Sequence, residues 1–142
     1  MKIGLDIHGV IDKYPRIFEH LAMRWTVEGH EVYIITGQEW EQCEQTVLDC
    51  GIEYYTHFSI VDHHKEIGTK MWHDDSKGKG WWMDRDIWVR SKGEFAKRIG
   101  LDVHFDDQLD YAEFFPNTCT FVRVPPVGFN LEWLGWNSEK SS

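Results

Sequence analysis

Short apolar runs and helical spacings alternate along the first third of the chain, and this alternation predicts its elements. Residues 3–5 form an apolar run that ends in Asp6, and residues 31–36 are mostly apolar, as a central parallel strand is. Between them, apolar side chains recur every three or four positions over residues 15–28, which predicts an amphipathic helix. Gly29 suits the end of that helix.

A second strand–helix unit follows the first. The apolar positions Trp40, Cys43, Val47 and Cys50 keep the three- and four-residue spacing of a helix. A third strand, centred on residues 55–60, lies within residues 53–61. Two successive units of this kind predict a parallel sheet with right-handed crossovers.

Residues 62–90 break the pattern. Residues 70–72 and 81–83 flank a polar, glycine-rich stretch, which predicts a hairpin. We interpret it as a short hairpin insertion in one domain spanning residues 1–142, and not as a second domain. Such an insertion can carry specificity or can simply decorate the surface.

Regular order returns at Ser91, a plausible helix N-cap with Glu94 completing a capping box. A fourth strand over residues 102–105 runs into an acidic pair, Asp106 and Asp107. The remaining predicted segments are a helical turn over residues 111–115, a fifth strand over 120–124 and an aromatic tail, residues 129–136, that packs back on the body. The fold class is α/β, a Rossmann-type three-layer sandwich around a mainly parallel sheet.

Composition narrows the classes of partner. The 142 residues carry a formal net charge of −9, which argues against a broad nucleic-acid surface while allowing a local basic patch. No apolar run approaches the ~18 residues of a membrane span, and no secretory leader is evident. The three cysteines do not suggest a disulfide framework or a zinc site. We therefore expect a reduced, cytoplasmic protein that does not contact membranes, of open oligomeric state.

The candidate chemistry lies where the predicted strands end. In an open α/β sheet, ligands bind beyond the carboxyl ends of the strands. Asp6 alone could equally be a residue that caps a turn. Taken together, however, four segments bring polar groups to one edge: Asp6 and His8, Thr36, Lys92, and Asp106 with Asp107.

These segments, in this order, resemble the haloacid dehalogenase (HAD) superfamily of phosphohydrolases and phosphotransferases. Residues 6–10 match the family's Asp-x-Asp-Gly-(Thr/Val) motif except at His8, and residues 34–37 match its strand ending in Thr. Lys92 matches the family's lysine near a helix start, and residues 105–107 match its acidic pair. The resemblance covers roughly residues 1–61 and 91–124.

The resemblance implies a Mg²⁺-dependent phosphohydrolase that acts through an aspartyl-phosphate on Asp6. Mg²⁺ would be held by Asp6, Asp107 and the backbone carbonyl of His8, with Asp106 in support. The phosphate would be bound by Gly9, Thr36, Gly37 and Lys92, and the catalytic set would be Asp6, His8, Thr36 and Lys92.

His8 departs from the family, whose phosphatases carry a second Asp as acid and base at this position. Imidazole can do the same work because it titrates near neutrality. Three interpretations stay open: a working acid/base, a different or slower transfer chemistry, and a catalytically silent phosphate-binding or interaction protein. Lys92 as a solvated helix residue, Thr36 as a satisfied strand end and Asp106 as a turn residue also stay open, and Asp110 is a weaker candidate acid.

The substrate class follows only broadly. A phosphorylated small molecule, a nucleotide or a nucleic-acid phosphate end fits the implied chemistry. Tryptophans of the insertion could stack a base beside its basic residues, or could simply pack. A structural metal site built on the scattered histidines is a third class, although adjacent His63 and His64 would point apart on a strand. The tryptophans are Trp72, Trp81, Trp82 and Trp88, the basic residues are Lys77, Lys79 and Arg85, and the histidines include His57 and His73.

Overall fold

The computed structural model describes residues 1–74 and 80–125. In these ranges the elements are, in chain order, β1 (Lys2–Leu5), α1 (Pro15–Val27), β2 (Glu31–Thr36), α2 (Trp40–Asp49), β3 (Thr56–Ser59), α3 (Ile60–Ile67), β4 (Trp72–Asp74), β5 (Gly80–Trp82), α4 (Arg85–Ile99), β6 (Val103–Asp106) and β7 (Thr120–Arg123). A turn of 3-10 helix, Leu109–Phe114, lies between β6 and β7.

Five of these strands form one sheet in the order β3-β2-β1-β6-β7, and every neighbouring pair is parallel. On one side of β1 lies β2, the next strand in the chain, and on the other side lies β6. The chain order therefore reverses between β1 and β6. Ligands of open α/β sheets bind at such a reversal, outside the carboxyl ends of the strands.

Successive side chains of β2 enter two separate cores, one on each face of the sheet. Ile34 packs with residues of α1 and α2, whereas Ile35 packs with residues of α4. This division is what a parallel strand covered by helices on both faces requires. The predicted α/β architecture with a parallel central sheet is confirmed.

The third strand is shorter than predicted, because a helix that the sequence analysis missed begins at Ile60. The Ser59 hydroxyl caps α3 by accepting a hydrogen bond from the Asp62 backbone N–H, 3.1 Å away. Ser59 thus ends the strand and begins the helix. The apolar residues after it, buried at Ile60 and Val61, look like a continuing strand when read alone.

Helix α4 begins at Arg85, and not at Ser91 as predicted. The true N-cap is Asp84, whose side chain accepts from the Asp86 backbone N–H at 2.9 Å. Ser91 lies inside the helix, where its hydroxyl donates to the Ile87 carbonyl at 2.7 Å. Lys92 is therefore a mid-helix residue and does not lie at a helix start.

The predicted hairpin is confirmed. Strands β4 and β5 are antiparallel, with Trp72 opposite Trp82 and His73 opposite Trp81. The loop that joins them and the aromatic tail after residue 125 lie outside the described residues, so the tail's predicted packing stays a prediction. Within the described ranges, no helix is both long and apolar enough to cross a membrane.

Gly93 allows α4 to lie against the 3-10 turn. A Cβ at Gly93 would overlap the Phe114 backbone carbonyl, which cannot move independently of its chain. We expect Gly93→Ala to lower the free energy of unfolding by at least about 1 kcal/mol, although alanine is the better helix former. Urea denaturation measures the change. Glu94→Ala, on the exposed side of the same helix, is the control, and a Gly93→Ala protein as stable as the wild type would contradict this account.

Candidate active site

Three carboxylates meet at the reversal point of the sheet. Asp6 directly follows β1, Asp106 ends β6 and Asp107 comes next. The backbone joins the two segments, because the Asp6 N–H donates to the Phe105 carbonyl at 3.0 Å. One oxygen from each of the three acids lies within 4.8 Å of the others. The predicted convergence of these acids is therefore present.

Lys92 supplies the positive charge of this group from inside α4. The residue is only 1% exposed, and its ammonium lies 2.7 Å from Asp106 Oδ2 and 3.3 Å from Asp6 Oδ1. The ring of Tyr111 completes the enclosure, 4.5 Å from the ammonium. These contacts exclude the interpretation of Lys92 as a solvated helix residue.

Asp106 has partners on both of its oxygens. Oδ2 contacts both Lys92 and Nε2 of His104, the latter at 2.9 Å, and Oδ1 accepts from the Gln108 backbone N–H at 3.0 Å. Asp106 is fully buried, so these contacts satisfy a group that would otherwise be costly. Asp106 therefore holds Lys92 in place, and both of its oxygens are already engaged.

The electrostatics of the acids follow from this arrangement. Burial raises the pKa of Asp6 to about 8, and the charges of Asp106 and Asp107 add to the rise that Lys92 opposes. Burial acts in the same direction on Asp106, but Lys92 and His104 outweigh it and lower its pKa. Burial disfavours the Lys92 ammonium, yet Asp6 and Asp106 raise its pKa overall. Lys92 and Asp106 thus form an ion pair beside Asp6, a carboxyl whose ionised form is disfavoured by its surroundings.

The charge of the site is unbalanced. When all three acids are ionised, they carry three negative charges against the single positive charge of Lys92. Since Lys92 and Asp106 neutralise each other, Asp6 and Asp107 are left with two negative charges in a poorly solvated place. A divalent cation with carboxylate ligands, such as Mg²⁺, matches this donor set in charge and in chemistry.

Gly9 lets the loop after β1 approach Asp107. Its φ is +82°, and a Cβ there would overlap the Asp107 carboxyl group. Its N–H, predicted to bind phosphate, instead donates to Asp12 Oδ1 at 2.8 Å. The described contacts therefore support Gly9 as a residue of close approach, and its phosphate contact stays a prediction.

Thr36 ends β2, beside β1, and Gly37 follows it. Thr36 is buried and accepts a hydrogen bond from the Gln38 N–H at 3.3 Å. The six-membered ring of Trp88 covers Gly37 so closely that a Cβ would lie 2.7 Å from it. The Trp88 indole N–H in turn donates to the Tyr111 hydroxyl at 2.9 Å. An aromatic wall therefore joins Gly37 to the residue that covers Lys92.

His8 bridges two loops of the site. Its side chain is 51% exposed, with Nδ1 at 3.0 Å from Asp12 Oδ2 and Nε2 at 3.2 Å from Gln38 Oε1. Partial burial lowers the pKa of His8, but the contacts with Asp12 and Gln38 and the nearby Asp6 charge raise it overall. The imidazole therefore spans from the loop after β1 to the loop after β2.

The other candidate groups are engaged elsewhere. Lys65 lies 4.4 Å over one face of Trp81, and His57 stacks on one face of Trp40 at 3.9 Å. Those two faces of the indole rings are therefore not free to stack a base. Asp110 is exposed and paired with Arg85 at 3.0 Å, and it does not belong to the group of three acids. Among the described residues, the three acids are the one group of three or more potential metal ligands that lie close together, so the histidine-based metal site stays a prediction.

Four residues that contact the site were not singled out from the sequence: Asp12, Gln38, His104 and Tyr111. His104 precedes Asp106 by two positions, so both side chains share one face of β6, and that spacing was a usable signal. The backbone at His8 and Gly9 is not helical, so the four-residue spacing of His8 and Asp12 did not predict their contact. Nothing local in the sequence connects Tyr111 or Gln38 with the partners they meet.

Comparison with known proteins adds no assignment: no family model matches the chain, and no curated protein matches it. The structure itself defines the class: an α/β protein whose described residues include a parallel five-stranded sheet. A group of carboxylates bridged by a lysine lies at the carboxyl ends of its strands.

If Asp107 is a metal ligand, Asp107→Asn should weaken Mg²⁺ binding at least about tenfold, because it removes one of two anionic ligands. Isothermal titration of metal-free protein with Mg²⁺ measures this. The matched control is Asp110→Asn, an exposed acid already paired with Arg85, which should bind Mg²⁺ like the wild type. Equal affinity in all three proteins would remove Asp107 from the metal site.

The raised pKa of Asp6 predicts a pH-dependent stability cost in metal-free protein. As pH rises from the ordinary value of 3.8 toward about 8, the unfolded chain releases the Asp6 proton while the folded chain keeps it, so stability falls. Asp6→Asn removes this cost. In EDTA we expect the variant to be more stable than the wild type, by at least about 1 kcal/mol near pH 8 and by less near pH 5.

Thermal unfolding at the two pH values, with and without Mg²⁺, makes the comparison. Mg²⁺ should stabilise the wild type more than Asp6→Asn, because the stabilisation grows with the affinity of the folded state for the ligand. An Asp6→Asn protein that is less stable than the wild type at both pH values in EDTA would show that the carboxyl is not strained.

Proposed function

We propose that the protein is a Mg²⁺-dependent phosphohydrolase of the HAD type that acts on phosphate monoesters through an aspartyl-phosphate on Asp6. The observation that carries the proposal is the lysine-bridged group of Asp6, Asp106 and Asp107 at the reversal point of a parallel sheet. The order of the four sequence motifs adds the resemblance to that superfamily.

Asp6 and Asp107 are the residues that would hold the metal ion. When bound, Mg²⁺ supplies charge neutralisation that lets an anionic carboxylate and an anionic phosphate come together. With the ion bound, Asp6 would give up the proton that its raised pKa otherwise keeps, and its carboxylate would then be in the nucleophilic form. The fit rests on hard oxygen donors and on the two uncompensated charges.

Asp6 is the nucleophile in this proposal. Its carboxylate oxygen forms a bond to phosphorus while the bond from phosphorus to the ester oxygen breaks, and water later cleaves the acyl phosphate. Lys92 is fixed by Asp106 and lies 3.3 Å from Asp6, so it can offset the charge that develops on the phosphoryl oxygens. Thr36 and the backbone at Gly37 would donate hydrogen bonds to those oxygens.

His8 is the acid and base of the proposed reaction. It gives a proton to the departing ester oxygen and then takes one from the attacking water, as a group able to carry and release a proton near neutrality can. Its position across the mouth formed by the loops after β1 and β2 supports this role.

The substrate class is a phosphorylated small molecule or nucleotide, or a nucleic-acid phosphate end. The site is open at half-exposed His8 and bounded by the aromatic wall of Trp88 and Tyr111. A net charge of −9 disfavours extended contact with nucleic acid, so recognition would be confined to the phosphate and the groups next to it.

The direct test is hydrolysis of p-nitrophenyl phosphate by purified protein with Mg²⁺. We expect turnover that EDTA removes and that Asp6→Asn lowers at least about 1000-fold, because the nucleophile is lost. Asp110→Asn should retain wild-type activity. Equal phosphate release by the wild type and Asp6→Asn, across a panel of phosphate esters, would contradict the proposal.

The second candidate function is a phosphate-binding protein on the same fold, favoured by the presence of His8 where the family's phosphatases have Asp. His8→Asp separates the two. If His8 is a working acid/base, the substitution should leave turnover unchanged or lower it. A gain of more than about tenfold would show that the natural protein lacks an efficient acid/base and would favour the binding function.

A further inference from the structure

The two carboxylate oxygens of Asp12 contact two different residues of the loop after β1. Oδ2 lies 3.0 Å from His8 Nδ1, and Oδ1 accepts from the Gly9 backbone N–H at 2.8 Å. The Asp12 N–H in turn donates to the Ile7 carbonyl at 3.1 Å, which closes the turn on itself. The carboxylate is therefore fixed relative to the backbone that follows Asp6.

This arrangement determines which nitrogen of His8 carries the proton. An ionised carboxylate only accepts hydrogen bonds, so Nδ1 must donate to Asp12 and be protonated. In the neutral ring the other nitrogen, Nε2, is then the unprotonated one. A partner carboxylate that holds an imidazole in one tautomer is the means by which histidine is kept ready as a base.

Gln38 is suited to face Nε2 in both of its states. A side-chain amide can present its oxygen to a protonated nitrogen or, after rotation, its nitrogen to an unprotonated one. The contact of 3.2 Å reaches from the loop after β2, so Nε2 faces the gap between the loops after β1 and β2. A substrate oxygen entering that gap would replace the Gln38 amide.

We propose that Asp12 is a positioning residue that holds His8 with Nδ1 protonated and Nε2 directed into the mouth of the site. This inference rests on the proposed function and extends it, since the proton-carrying nitrogen is now specified. In the first step Asp6 bonds to phosphorus, the ester oxygen leaves and the Nε2 proton moves to that oxygen. In the second, water bonds to phosphorus, the Asp6–phosphorus linkage breaks and Nε2 takes the proton of the water.

Asp12→Asn is the informative variant, because the amide oxygen can still accept from the Gly9 N–H. The amide nitrogen would then donate to His8 Nδ1 and reverse the tautomer. We expect kcat/KM for an alkyl phosphate such as glycerol phosphate to fall at least about tenfold. The loss should be smaller for p-nitrophenyl phosphate, whose leaving group needs less protonation. A merely structural defect would lower both rates equally.

A double-mutant cycle separates positioning from stability. In a His8→Gln background, Asp12→Asn should cost nothing further, because the group it orients is gone. An equal loss in both backgrounds, or no loss in either, would overturn the proposal. Asp110→Asn, an exposed acid outside the site, is the control and should keep both rates. Asp12→Glu, which restores a carboxylate, should recover part of the loss.

A measurement independent of turnover keeps this inference separate from the proposed function. Nitrogen chemical shifts of His8 in labelled protein, recorded where the ring is neutral, should report a protonated Nδ1 in the wild type and a protonated Nε2 in Asp12→Asn. Unchanged shifts would overturn the positioning role even in an active enzyme. If the wild type has no turnover while the shifts change, the proposed function fails and Asp12 still holds the ring.

Discussion

A lysine ammonium buried between two carboxylates is the interaction on which the site depends. Lys92 contacts Asp106 at 2.7 Å and Asp6 at 3.3 Å, so residues from α4, β6 and the end of β1 are tied at one point. A buried ion pair of this kind gains little net stability, because desolvation of the charges offsets their attraction. The ion pair instead fixes a cation beside Asp6, at the point where the order of the strands reverses between β1 and β6.

The same arrangement disfavours the ionised form of the Asp6 carboxyl. Lys92 lies closer to Asp106 than to Asp6, so a single ammonium is shared within a group of three acids. Burial and the neighbouring charges then favour a proton on Asp6. Arrangements that lower the stability of the fold in this way are typical of functional sites, since an apolar edge of the sheet would be more stable. Local charge imbalance and sheet topology therefore indicate the same place and support the same proposal.

The sequence predicted β1 and β2 well because both strands are buried on two faces and read as apolar runs. It predicted Asp6, Thr36, Asp106 and Asp107 as a group because parallel strands end at one edge. It misplaced the start of α4, because Ser91 resembles an N-cap but meets its hydrogen-bonding needs inside the helix. It could not predict Tyr111 over Lys92 or Gln38 against His8, since those contacts depend on tertiary packing between segments distant in the chain.

The most direct measurement is a crystal structure of the protein with Mg²⁺ and trifluoroberyllate, a mimic of a phosphoryl group. We expect the metal ion between Asp6 and Asp107, the beryllium bound to the second oxygen of Asp6, and Lys92 still paired with Asp106. Binding of the metal elsewhere, or a carboxyl of Asp6 that carries no beryllium under conditions where both are present in excess, would contradict the proposal.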